Sequence, residues 1–377
     1  MINRLMIQRL AGKRIWVMAK GYAPDEGGQQ TYARQVAAAY ARLGGAVTVL
    51  TQTSAGPRDE EQEGVRLIDL GPGKGAWVPF RWIAAVKALE KSERHPDLCH
   101  ATTWRTSVPP LACGIPYMTT FHGREFMRAG GAAGMALTAV MRRARLLVAV
   151  SHYSASLLRP KMARAHIDPA RLVVAWNGCT TTPLPRVAAR PGDPLRIMTL
   201  CRLEPRKNLL AAVQAVEQVI ARGHAVEYII CGRGPDQAAI AQHIARSPAS
   251  ASIRMAGYVS DEDARALHAR SDIFLHPQIA LDDGRDFEGF GLAVADAMRA
   301  GCVAIVGREG GSAELVTQGE SGFIVNGREP EDEIARIIIG LATDDARLSA
   351  LSAASVERSM LFDWDRHVGA LLERADL

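Results

Sequence analysis

TTTPLPRVAARPGDP, residues 180–194, decides how this chain is built. It carries four prolines in 15 residues. A proline has no amide to donate, and it biases the residue before it toward extended backbone. Such a run neither continues a helix nor joins a sheet, so it reads as a linker. Working outward from it, the same pattern is met on both sides: a short apolar run, then a helical stretch. Upstream the runs are 14–19, 46–51, 65–70, 97–101, 116–121, 146–150 and 172–176, separated by helices such as 30–43 and 79–93. Downstream they are 196–201, 226–231, 253–256, 273–276, 303–306 and 322–325. Runs this short and this rich in β-branched residues fit strands buried on both faces. Strands alternating with helices predict parallel sheets covered on both sides, hence an α/β chain of two domains. The tail from 331 onward reads as helical, and 364–375 has the apolar spacing of a final amphipathic helix.

A length of 377 residues allows two cores. With 48% hydrophobic and 23% charged residues, the composition is that of a soluble globular protein. No apolar run reaches the roughly 18 residues of a spanning helix. Residues 1–14 are basic but lack the apolar centre of a secretory signal. Cys99, Cys113, Cys179, Cys201, Cys231 and Cys302 form no C-x-x-C pair, which argues against a zinc ribbon or redox motif. They read as small core residues in a reducing, cytoplasmic setting. Charge is unevenly spread. Residues 1–190 hold 26 Lys and Arg against 12 Asp and Glu, leaving 19 against 28 for the remainder. A basic half beside an acidic one suits an anionic partner: nucleic acid, a membrane surface or a phosphate-bearing acceptor. The alternative is an uneven spread that serves solubility alone.

Five stretches could carry chemistry. FEGFGLAVADAMRAG, residues 287–301, predicts a helix over 290–299 that stops at Gly301. The amides of Phe290, Gly291 and Leu292 would then point out of its N-terminus and, with the helix dipole, attract anions or sugar hydroxyls. Gly289 and Gly291 would let a ligand approach the backbone. Glu288 and Asp296 could touch opposite ends of one long ligand, or be a cap and a surface acid. RLEPRKN, residues 202–208, follows the first downstream strand. Arg202 and Lys207 could converge on a diphosphate and stabilise leaving-group charge, or form a solvated basic loop. Gly27 and Gly28 fall between the first strand and the first helix, where backbone amides meet phosphate or simply turn. No G-x-G-x-x-G is formed there. His122 ends a strand, with Arg124 and Arg128 beyond it. CGRGP at 231–235 and GYVSDED at 257–263 close two downstream strands, where Gly232 could line a nucleotide site and the backbone at Tyr258 and Val259 could hold a base edge.

Taken in order, these motifs resemble the retaining glycosyltransferases of family four, also called group 1 glycosyltransferases. The resemblance runs from Gly27-Gly28 through His122-Gly123, Ser151-x-x-Ser154, Asn177-Gly178, Arg202-x4-Lys207, Gly232-x-Gly234-Pro235, Glu288-Gly289-Phe290-Gly291 and Gly310-Gly311-x-x-Glu314 to the last helix. It implies the GT-B fold: two Rossmann-like domains whose parallel sheets face across a central cleft. Residues 1–182 would bind the acceptor and 195–360 the nucleotide sugar, with 361–377 a helix crossing back toward the first domain. Arg202 and Lys207 would hold the donor diphosphate. Glu288 and the amides of Gly289 to Leu292 would contact the sugar, and Asp296 the ribose. His122 would sit beside the transferring sugar. Gly28 would face the phosphates, and Gly27, Arg124 and Arg128 the acceptor. Two positions depart from the pattern. Asp296 stands where Glu is usual, which alters the ribose contact, and Gly289 stands where Pro often follows the first acid. The D-x-EGFG form is similar to a branch that includes mannosyl transferases.

The implied chemistry is retaining transfer from a UDP- or GDP-linked sugar with no cofactor. No D-x-D is found to hold a metal, and Asp282-Asp283 is a lone loop pair, so metal-independent transfer is expected. Expected partners are the nucleotide-sugar donor and an anionic or lipid-linked acceptor, not nucleic acid. A peripheral contact with the cytoplasmic face of the inner membrane is also expected. Residues 1–14 would provide it, with Leu5, Met6 and Leu10 set among Arg4, Arg9, Lys13 and Arg14, or would be disordered. Three other readings stay open: a sugar-nucleotide epimerase on the same fold, a nicotinamide oxidoreductase, which the missing G-x-G-x-x-G disfavours, and a non-catalytic scaffold binding membranes or nucleic acid.

Overall fold

A computed structural model describes residues 10–73, 75, 77–187 and 192–375. The chain divides into two compact units. The first comprises residues 1–178 and 363–377, the second 179–362.

The first unit begins with β1 (Arg14–Met18), α1 (Gly28–Arg42), β2 (Ala46–Thr51), β3 (Pro57–Gln62), β4 (Val65–Leu70) and α2 (Val78–Glu93). Then come β5 (Leu98–Ala101), α3 (Val108–Cys113), β6 (Met118–Phe121), α4 (Arg124–Met127), α5 (Gly131–Arg143), β7 (Leu146–Ala149), α6 (His152–Arg164) and β8 (Leu172–Val174). The sheet order is β3-β4-β2-β1-β5-β6-β7-β8. Its central strands are buried along nearly their whole length, as parallel strands covered by helices must be.

The second unit holds β9 (Leu195–Leu200), α7 (Leu209–Ala221), β10 (Val226–Cys231), α8 (Gln237–Arg246), β11 (Ile253–Gly257) and α9 (Asp261–Arg270). It continues with β12 (Ile273–His276), α10 (Leu292–Arg299), β13 (Val303–Gly307), β14 (Gly322–Val325), α11 (Glu331–Ala342) and α12 (Asp345–Ser359). The order is β11-β10-β9-β12-β13-β14, all parallel. Ile197, Tyr228, Ile273 and Ile305 of this sheet bury against Val213 and Val216 of α7 and Ile334 and Ile338 of α11. The chain then returns to the first unit as α13 (Trp364–Arg374), which packs on α1 and β8.

Both sheets are α/β and doubly wound, as expected from the sequence, and all thirteen expected strands are present. Each sheet reverses its winding direction once, between β1 and β5 and between β9 and β12. Open α/β sheets bind ligands at the carboxyl ends of the strands beside such a reversal. β3 was not expected. It is a charged edge strand, antiparallel to β4 and mostly exposed, so no apolar signature betrays it.

Two expectations meet different geometry. Leu10, taken as part of a membrane-facing stretch, is fully buried in the first unit. Beside it Lys13 pairs with Asp97 at 3.5 Å, and the Arg14 amide donates to the same carboxylate at 2.8 Å. Arg4, Leu5, Met6 and Arg9 lie outside the described residues. The linker is anchored rather than free where it is described: Arg186 donates to the Ser271 and Gly301 carbonyls and pairs with Asp272. Residues 188–191 of it lie outside the described residues. No helix among the described residues is long and apolar enough to cross a membrane.

Candidate active site

At the β9–β12 reversal the second unit gathers charge. Past β9 the chain runs through Arg202 and Glu204 into a short 3-10 turn, Pro205–Lys207, capped by Asn208 in a left-handed conformation. That turn aims Lys207 inward, where its side chain is 7% exposed. Lys207 Nζ donates to Glu288 Oε2 and, at 3.4 Å, to His276 Nε2 at the end of β12. Arg206 Nη1 donates to the same Glu288 oxygen at 2.6 Å. Arg206 also pairs with Glu204 at 2.9 Å and Asp286 at 3.5 Å. Arg202, by contrast, is 73% exposed and pairs with Glu204 at 3.1 Å.

Burial alone would raise the Glu288 pKa, but Lys207, His276 and Arg206 outweigh it and hold the carboxyl well below its usual range. Glu288 is therefore an anion and cannot serve as a general acid near neutral pH. Burial, helped by Lys207, pushes His276 down to about 4, so its imidazole is neutral. Its Nδ1 is buried without a partner among the described residues.

Beyond Glu288 the backbone is shaped by close approach. Gly311 donates its amide to the Glu288 carbonyl at 2.8 Å, and a Cβ on Gly310 would stand 2.8 Å from that oxygen. Gly291, at φ +97°, lies against Ser312. Helix α10 starts at Leu292 rather than at Phe290, because this left-handed glycine is its N-cap. The amides of Gly289, Phe290, Gly291 and Leu292 donate to no acceptor among the described residues. An ionised carboxylate, a buried lysine and a row of unspent amides thus converge on one helix start, a setting that favours anions and hydroxyls.

Asp296 does not join them. It is 7% exposed. Its Oδ1 accepts from the Thr180 amide at 2.5 Å and its Oδ2 from the Thr180 hydroxyl. In this structure the carboxylate accepts from the start of the linker. Burial raises its pKa to about 6, against the lowering pull of those Thr180 and Thr181 bonds. Gly232 follows β10 directly. Its amide donates to the Gly257 carbonyl at 2.6 Å, and any Cβ there would stand 1.8 Å from the Cys201 carbonyl oxygen. It ties the ends of β9, β10 and β11 together. Tyr258 is half-exposed beneath the Arg233 guanidinium, 5.6 Å from the ring centre, and Val259 beside it is half-buried.

In the first unit, Gly27 is the N-cap of α1 at φ +141° and Gly28 is its first residue. His122 follows β6 and is half-buried. Its Nε2 donates to the Thr102 carbonyl, just past β5, at 2.8 Å, and Glu125 accepts from its amide. Burial lowers its pKa, against the raising effect of Glu125 and Thr102. Arg124 and Arg128 are exposed at the two ends of α4. Ser151 and Ser154 form a helix cap, with the Ser154 amide donating to Ser151 Oγ at 3.0 Å. Arg206, Asp286 and His276 were not singled out from sequence. Arg206 sits inside the R-x4-K stretch, Asp286 inside D-x-EGFG, and His276 ends a strand as His122 does, so a signal existed for all three.

The family model for glycosyl transferases group 1 matches residues 181–357, and that for glycosyltransferase family 4 matches residues 26–182. WcaL of Salmonella typhimurium, named for colanic acid biosynthesis, is 30% identical over 199 residues, 52% of this chain and 48% of that protein. The chain therefore spans about half the length of that relative. A GDP-mannose-dependent alpha-(1-6)-phosphatidylinositol monomannoside mannosyltransferase of Mycobacterium tuberculosis is 27% identical over 274 residues, 68% of this chain and 70% of that one. Among solved structures, Anabaena HepE in complex with UDP and glucose matches 96% of this chain and 99% of its own, with a TM-score of 0.74 at 18% identity. That likeness shows the GT-B fold.

Proposed function

Because the chain belongs to the group 1 glycosyl transferases of family 4, we propose that it moves a sugar from a UDP- or GDP-linked donor to a lipid-linked glycan or polysaccharide intermediate, with retention and without a metal. The observation that carries this is the Lys207–Glu288–Arg206 cluster at the open start of α10. Lys207 and the exposed Arg202 would hold the diphosphate. Glu288, fixed as an anion, would accept hydrogen bonds from donor-sugar hydroxyls, and the amides of Gly289 to Leu292 would face the sugar and phosphate oxygens.

The reaction then follows from charge. The bond from the anomeric carbon to the phosphate oxygen breaks as positive charge builds on the sugar ring. Negative charge grows on the departing phosphate, where Lys207, Arg202 and the helix dipole stabilise it. The acceptor hydroxyl forms the new bond on the same face, and its proton passes to the phosphate oxygen that leaves. No protein nucleophile is required. The names of the relatives, colanic acid biosynthesis and phosphatidylinositol mannoside synthesis, support an acceptor on a lipid or a growing polysaccharide. The basic first half favours an anionic one and, with it, peripheral contact at the cytoplasmic membrane face.

Calorimetric titration with UDP and GDP in the presence of EDTA tests the donor site. Binding of either nucleotide, weakened about tenfold or more in Arg202→Ala, is expected. Binding of neither, or binding only after metal is restored, would overturn the reading. Epimerised nucleotide sugar formed without any acceptor would replace it with the epimerase alternative.

A further inference from the structure

Behind His122 lies a chain of buried polar side chains that the proposed reaction does not use. Tyr32 and Tyr40 come from α1, His100 from β5, Thr120 from β6 and His367 from α13, and all are buried. Tyr40 Oη lies 3.0 Å from His100 Nδ1, and His100 Nε2 lies 2.8 Å from Thr120 Oγ1. Thr120 Oγ1 lies 2.9 Å from Tyr32 Oη, and Tyr32 Oη lies 2.9 Å from His367 Nε2. His367 Nδ1 lies 3.1 Å from the Trp176 carbonyl.

The direction of every bond can be deduced. A carbonyl only accepts, so His367 Nδ1 carries a proton. Burial holds His367 neutral near pH 7, pushing it down to about 4, so its Nε2 is bare and accepts from Tyr32. Tyr32 has one proton and has spent it, so it accepts from Thr120. Thr120 then accepts from His100 Nε2. Burial pushes His100 down to about 3, leaving its Nδ1 bare to accept from Tyr40. Each donor thus points toward the Trp176 carbonyl, where the array ends. A chain ending on a backbone oxygen cannot relay a proton onward, so it serves as a brace.

What it braces is Tyr32. The Tyr32 ring meets the His122 ring edge-on, with centroids 4.6 Å apart at 83°, and the Trp364 ring of α13 at 5.6 Å and 71°. His122 is therefore fixed twice, by the Thr102 carbonyl on Nε2 and by the face-to-edge contact with Tyr32.

We infer that Tyr32 and His367 are positioning residues for His122, so that the final helix sets the orientation of a histidine placed near the reacting sugar. The catalytic consequence rests on the proposed transferase reading; the orientation itself does not. Two readouts separate them. In long-range proton–nitrogen NMR, ring signals identified by their loss in His122→Ala should show His122 as one tautomer, protonated on Nε2. Tyr32→Phe and His367→Phe should each move those signals toward an average of both tautomers. Unchanged His122 signals in both variants would overturn the inference, whether or not the protein transfers sugar. In steady-state kinetics, Tyr32→Phe should lower kcat about tenfold or more with little change in donor KM. The same substitution made on top of His122→Ala should cost nothing further. An equal loss in both backgrounds would mean a general structural effect and would also overturn it. A wild-type protein without transferase activity would sink the proposed function and leave the NMR result to decide the orientation.

Discussion

Glu288 and Asp296 lie on either side of one helix start, and their surroundings have opposite consequences for pH. Glu288 is held below the ordinary carboxylate value by Lys207, His276 and Arg206. Its folded-state pKa is depressed, so its contribution to stability is present above the unfolded value near 4.5 and is lost as pH falls through the folded one. Asp296 is raised by burial from 3.8 to about 6. The folded state then binds the proton more tightly than the unfolded one. Its contribution is fully present below 3.8 and is lost as pH rises through about 6, amounting to roughly 2 to 3 kcal/mol. Asp296→Asn keeps the shape and can still accept from Thr180, with its amide donating back to the Thr180 hydroxyl. Urea unfolding between pH 4 and 7 should therefore show the wild type losing stability across this window and Asp296→Asn losing much less. Glu288→Gln should cost roughly 1 to 3 kcal/mol at pH 7, since it leaves two cations facing a neutral amide. Both acids were legible in the sequence as a spaced pair. Their separation into an ion-paired residue and a linker brace was not, because nothing in the spacing places Thr180 against Asp296.

Element by element, what sequence revealed was burial. The thirteen expected strands carry short, mostly apolar runs because helices cover much of their faces, and those runs were visible. β3 carries Pro57-Arg-Asp-Glu-Glu-Gln62 and shows no such run, since an edge strand gains its place from backbone pairing with β4 alone. The turn that makes it possible is Glu63-Gly64, with φ of 51° and 75°. A two-residue type I′ hairpin needs positive φ at both positions, which favours Asn over Glu. Glu63→Asn is expected to stabilise the first unit by about 0.5 kcal/mol, because the exposed 3.7 Å contact it gives up with Arg34 is worth little. Chemical denaturation would detect it as a higher midpoint at constant slope. At the start of α6 the sign reverses: Ser151→Ala removes a buried cap and should cost about 1 to 2 kcal/mol.

Across the whole chain, the proline-rich stretch begins just inside the second unit, which starts at residue 179, and sequence periodicity identified the final helix. Periodicity could not reveal that this helix supplies side chains to the interior of the first unit: Trp364 against Gly178 and Tyr32, Asp365 paired with Arg42 at 2.8 Å, His367 inside the hydrogen-bonded array. All but the Gly178 contact join residues more than 300 positions apart, beyond any local signal. Removal of residues 363–377 should accordingly speed amide hydrogen exchange in α1 and β8 and leave β9, β10 and β12 protected as before. Loss of protection in the second unit instead would count against the assignment of α13 to the first.

That assignment bears on how the protein is made. A ribosome delivers the first unit's sheet early, yet the helix that completes it emerges only after all of residues 179–362 have been translated. At about 5 to 20 residues per second, the nascent first unit waits roughly 10 to 40 s with Tyr32 and Gly178 uncovered. The second unit, continuous in sequence, has no such wait. The part synthesised first is thus the last to be finished, and during that interval it is the stretch of nascent chain with most reason to engage a chaperone.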